Sequence, residues 1–76
     1  MYRYLIIIEK GDSGYGAYAP DIPGCVAVGD TLEEVEREMR AALVMHLQAM
    51  REDHDPISGP RSTAEYVEFS LSEPVK

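Results

Sequence analysis

The strongest constraint on this chain is a helical pattern that runs from Thr31 to about Asp53, roughly 34 Å at 1.5 Å per residue. On a helical wheel Leu32, Val35, Met39, Leu43, His46 and Met50 share one face, widened by Ala42 and Leu47. Arg37, Arg40, Gln48 and Arg51 lie opposite. Val44 and Met45 fall towards the polar side and suggest a second contact surface, here an oligomer interface. Thr31-Leu32-Glu33-Glu34 has the form of a capping box, in which the Thr31 hydroxyl accepts the Glu34 amide. Glu33, Glu34 and Glu36 sit near the positive end of the helix dipole.

The segments around the helix read as short strands. Residues 2–10 are rich in Tyr and Ile, which suit a pleated, half-buried surface. Tyr2, Tyr4, Ile6 and Ile8 point one way and Arg3, Leu5, Ile7 and Glu9 the other. Gly11-Asp12-Ser13-Gly14 is a turn, and residues 15–19 return as the second strand of a hairpin. Pro20-Asp21-Ile22-Pro23-Gly24-Cys25 cannot continue a regular strand, because two prolines remove two donors and fix φ. A third strand is expected at 25–28. After the helix, Asp55-Pro56-Ile57-Ser58-Gly59-Pro60 is a loop. A last strand is expected at 64–71, with Val67, Phe69 and Leu71 on one face and Tyr66, Glu68 and Ser70 on the other, closed by Pro74. The order is β-β-β-α-β. That is an α+β fold: an antiparallel sheet packed by one long helix, in a single domain spanning 1–76.

A chain of 76 residues has a thin core, worth about 3–5 kcal/mol of net stability, which argues for a homo-oligomer or a bound partner. Its formal charge of −7 disfavours a nucleic-acid module, since phosphate binding uses basic patches, and suits a basic protein partner. The single cysteine, Cys25, excludes an internal disulfide and a cysteine-based metal cage. Leu5-Ile6-Ile7-Ile8 is followed at once by Glu9 and Lys10, so it reads as a strand rather than a signal peptide. Nothing approaches the ~20 apolar residues that span a bilayer. A cytoplasmic protein without membrane contact is expected.

Few residues point to chemistry. His46 reads as a core or interface histidine rather than a base or metal ligand; His54, eight residues on, does not make a metal-binding spacing with it. Cys25 reads as a small buried hydrophobe rather than a nucleophile paired with His46. Asp12, Asp21 and Asp30 each sit beside Gly or Pro and read as turn chemistry. The competing idea is a Mg²⁺-binding carboxylate cluster of a nuclease, which requires the three to converge. The glycines between Gly11 and Gly16 open no helix and so lack the helix N-terminus of a phosphate cradle. Tyr15, Tyr18 and Asp21-Ile22-Pro23 form an aromatic hairpin beside a stiff loop, a plausible contact surface. No catalytic, cofactor-binding or metal residues are assigned.

Gly14-Tyr15-Gly16-Ala17-Tyr18-Ala19-Pro20-Asp21-Ile22-Pro23-Gly24-Cys25, followed by Gly29-Asp30-Thr31-Leu32-Glu33-Glu34, resembles the N-terminal domain of HicB-like antitoxins. The likeness covers residues 2–53. It implies a partial ribonuclease-H-like domain without a working active site, in a toxin–antitoxin pair. The implied partner is a small basic HicA-like toxin that cleaves mRNA, whose active surface the antitoxin covers. The expected contacts are Tyr15, Tyr18, Asp21, Ile22, Pro23 and Cys25, with Glu33 and Arg37 on the helix. HicB proteins usually continue into a DNA-binding domain; only five residues follow Leu71, so direct DNA binding is not expected. The alternative is an orphan homo-oligomeric module for a ligand or another protein, built through Val44 and Met45.

Overall fold

The computed structural model describes residues 2–72. Met1 and the stop expected at Pro74 lie outside the described residues. Three strands, β1 (Ile7–Lys10), β2 (Tyr15–Tyr18) and β3 (Val26–Gly29), form one antiparallel sheet in the order β1-β2-β3. The Gly11 amide donates to the Gly14 carbonyl at 2.7 Å and closes the first turn. The first strand is shorter than the expected 2–10. Ile7 pairs with Tyr18, so residues 2–6 run past the end of β2 and have no ladder partner. The third strand starts one residue later than expected, because Cys25 belongs to the preceding turn.

Helix α1 (Leu32–Glu52) follows β3 almost at once. Thr31 caps it as the sequence predicts: its Oγ1 accepts the Glu34 amide at 3.1 Å. At the other end the Asp55 amide donates to the Met50 carbonyl and the His54 amide to that of Arg51. This is a Schellman motif, with His54 at φ 58° in the place glycine usually takes. Pro56 then prevents the helix from resuming.

The core lies between the sheet and α1. Val35 and Met39 are fully buried, and Leu47 closes the far end. Each such side chain stabilises the fold by about 1.5–3 kcal/mol. The sheet meets them with small residues, Ala17, Ala19 and Ala27, so the helix comes close. The closest approach is at Gly29. A Cβ there would lie 2.6 Å from the Val35 nitrogen, so only glycine lets β3 pass beneath the first turn of α1. Tyr4, Ile6 and Ile8 complete the core from the first segment, as their alternation predicts.

The fourth strand expected at 64–71 is not part of the sheet. Ile57 still packs on the core, and the Tyr4 hydroxyl donates to the Ser58 carbonyl. Beyond Ser62 the chain runs out as an arm, with every residue from 63 to 72 exposed. The apolar alternation of 66–71 is real, but among the described residues no strand pairs with it. The molecule is therefore elongated, 61 × 29 × 20 Å, with a radius of gyration of 16.6 Å. A compact chain of this length would have about 11 Å.

Candidate protein-docking surface

The loop from Pro20 to Cys25 is two tight turns in series. The Ile22 amide donates to the Ala19 carbonyl at 3.1 Å, and the Cys25 amide to the Ile22 carbonyl at 3.2 Å. A proline occupies the second position of each turn. Gly24 has φ 83°, the left-handed value that the third position of a type II turn requires. The Ala19 amide donates to the Cys25 carbonyl and closes the base. Two three-residue steps turn Ala19, Ile22 and Cys25 into the core and leave Pro20, Pro23 and Gly24 exposed.

The sheet face turned away from α1 continues this surface. Residues opposite one another in the ladder share a face. Ile7, Tyr18 and Val26 therefore form one row across all three strands, with Val28 in the next. Val26 is 64 % and Val28 76 % exposed, and Tyr18 is 42 % exposed. On β3 the alanine faces the core and the two valines face out. Tyr18 and Val26 also stand where the loop leaves and rejoins the sheet, so the loop and the apolar row form one continuous surface. Single exposed apolar residues are ordinary; a row crossing three strands is an apolar patch.

Asp21 ties this loop to the end of the chain. Its Oδ2 accepts the Arg61 amide at 2.8 Å and the Ser62 amide at 2.9 Å, and its Oδ1 accepts the Ser62 hydroxyl at 2.8 Å. These bonds, that from the Ser62 amide foremost, hold the Asp21 carboxyl below its ordinary value.

The residues expected to meet a partner are dispersed. Tyr18 and Pro23 lie on the exposed surface, whereas Tyr15 faces the helix side and packs on the core. Ile22 and Cys25 are core residues, each 3 % exposed, so they shape the loop and present nothing to a partner. Asp21 is engaged by Arg61 and Ser62. Glu33 and Arg37 are exposed on α1, on the other side of the molecule from the apolar row. Val44 and Met45 are both exposed but separate: Val44 lines a groove beside β1, and Met45, 100° further round, does not. Ile7, Val26 and Val28 were not singled out from the sequence. The signal was the Val-Ala-Val alternation of β3, in which the smaller residue goes inside.

The three aspartates do not converge. Asp12 and Asp30 border one open depression at the β1–β2 turn, while Asp21 sits at the opposite end of the sheet. Among the described residues no group of three His, Cys, Asp or Glu side chains is placed to hold a metal ion. Burial pushes the Cys25 thiol up, the reverse of what a nucleophilic thiolate needs. His46 is half-buried on the apolar helix face, and His54 is exposed beyond the helix end. No helix among the described residues is long and apolar enough to cross a membrane.

A family model for the HicB-like antitoxin of bacterial toxin–antitoxin systems matches residues 4–71. The chain belongs to the HicB-like antitoxin family. The matched span includes the exposed arm. This HicB-like chain is similar to a chain of a solved HicA3 and HicB3 toxin–antitoxin complex, with 32 % identity and a TM-score of 0.67, over 78 % of this chain and 70 % of that one. It is 33 % identical over 58 residues to a UPF0150 protein of Synechocystis, covering 75 % of this chain and 73 % of that protein. It is 36 % identical over 64 residues to an uncharacterized 14.9 kDa protein from the rep–hol intergenic region of Haemophilus phage HP1. That match covers 84 % of the HicB-like chain but 48 % of the phage protein, so the chain spans about half the length of this relative.

Proposed function

We propose that this chain is a non-catalytic protein-binding domain that captures a HicA-like toxin in the cytoplasm and covers its active surface. The observation that carries this reading is the outward row of Ile7, Tyr18 and Val26, with Val28 beside it. Strand β3 turns its alanine inward and its two valines outward, which leaves apolar surface where a partner can cover it. The stiff Pro20–Cys25 loop extends the row without losing conformational entropy on binding, since both of its turns are already closed. A formal charge of −7 favours encounter with a basic toxin and opposes contact with nucleic-acid phosphates. Membership of the HicB-like family and likeness to a chain of a HicA3–HicB3 complex support the choice of partner.

The test is a ribonuclease assay with a small basic HicA-like toxin. Added chain is expected to stop RNA cleavage. Replacing Val26 with Asp is expected to raise the amount needed at least about tenfold, the scale of one central interface residue. Unimpeded cleavage at tens of micromolar chain would refute the pairing. Equal protection by the Val26→Asp variant would refute the surface.

A further inference from the structure

Two features of this fold stand without a partner among the described residues, the exposed arm and the outer edge of β1. Residues 64–71 alternate apolar and polar, with Val67, Phe69 and Leu71 on one side and Glu68 and Ser70 on the other. Such a strand needs a ladder partner and an apolar floor on one side only. The body offers both. Among the described residues the outer edge of β1 has no ladder partner, and beside it runs an open groove of about 600 Å³ between the first segment and α1. Tyr4, Ile6, Ile8, Leu43, Val44 and Leu47 form its floor.

We propose that the arm adds as a fourth strand to β1 of a second copy, and that the second copy returns its own arm, giving a two-fold dimer by exchange. The arm is not folded back onto its own chain: Asp21 holds Ser62 in place, and every residue from 63 to 72 is exposed. Phe69, 77 % exposed, brings roughly 150–250 Å² of surface by itself. Adding Val67, Leu71, the strand backbone and the covered groove, and repeating the contact by symmetry, passes the ~1,200 Å² of a stable specific interface. Charge agrees: Arg3 and Arg40 rim the groove, Arg40 sharing a 3.5 Å ion pair with Glu36, and the arm carries Glu65 and Glu68. The exchange uses the groove beside α1 and leaves the outward face of Ile7, Tyr18 and Val26 open. It stands whether or not that face captures a toxin.

The mass of the full chain by light scattering, and the amide exchange of residues 65–71, test this together. The expected mass is that of two 8.5 kDa chains. Every second arm amide should exchange at least about tenfold more slowly than an open strand, and dilution should remove that protection. Phe69→Asp should give a single-chain mass with an unchanged helical spectrum. A single-chain mass for the unaltered protein at about 100 μM overturns the proposal. So does a dimer whose arm amides stay unprotected, or arm protection that dilution does not change, which would mean a strand folded back within its own chain.

Discussion

Asp21 holds Ser62 at two points, accepting its amide at Oδ2 and its hydroxyl at Oδ1, at 2.9 and 2.8 Å. The two residues are 41 positions apart. One lies in the loop between β2 and β3, the other at the root of the arm. The bond fixes the return of the chain after the helix and sets where the arm leaves the body.

This anchor depends on charge. Hydrogen bonds from Ser62 and Arg61 lower the Asp21 carboxyl from its ordinary 3.8. A carboxyl lowered by folding contributes stability that is whole above its unfolded value and lost as pH falls through the folded one. The arm root should therefore stay docked from neutral pH down to about 4 and come loose below it. In an acid titration followed by NMR, the amide protons of Arg61 and Ser62 should shift together, with a midpoint below 3.8. A midpoint at or above that value would contradict the anchor.

Gly29 and Gly16 are neighbours in the sheet region with opposite tolerances. A Cβ on Gly29 would meet the backbone of Val35 at 2.6 and 2.9 Å, whereas one on Gly16 meets nothing within 4 Å. Backbone cannot move aside as a flexible side chain can. Gly29→Ala should cost about 1–3 kcal/mol or more, against a small change for Gly16→Ala. Urea denaturation of the two variants reads this directly. Equal midpoints would mean that β3 and α1 are not in such close contact.

His54 occupies a left-handed position at the end of α1. A non-glycine residue there is strained by roughly 1–2 kcal/mol. Glycine relieves it but loses roughly 0.4–1 kcal/mol through a freer unfolded chain. His54→Gly should therefore raise stability by up to about 1 kcal/mol, or about 4–8 °C in melting temperature for a chain this small. A fall in the melting temperature would show that His54 makes a contact that outweighs the strain.

Much of the fold was legible because local chemistry and tertiary context agree. Thr31 caps α1 as its spacing with Glu34 implies, and Val35, Met39 and Leu47 are buried as the wheel predicts, whereas Leu32, placed on the same face, is 51 % exposed in the first turn. The Pro-Asp-Ile-Pro-Gly-Cys loop was legible as a break in the strands, but its inward turn of Ile22 and Cys25 depends on two turns in series. Residues 64–71 show the opposite case. Their alternation has the pattern of a strand, but the structure forms none there, because a pattern does not supply a ladder partner. The candidate docking surface was only partly legible. Tyr18 was readable as an aromatic on a hairpin, whereas the outward face of Val26 and Val28 follows from the ladder register, which places Tyr18 opposite Val26.

The central claim is that the outward sheet face binds a basic HicA-like toxin. Calorimetric titration of that toxin into the chain, beside a Val26→Asp/Val28→Asp variant, tests it most directly. Both side chains are largely exposed, so the variant should fold as the parent does. The account predicts stoichiometric binding with a dissociation constant of about 1 μM or tighter, roughly −8 kcal/mol, and at least about a hundredfold weakening in the variant. No measurable binding by the parent chain, or equal affinity in the variant, would contradict it.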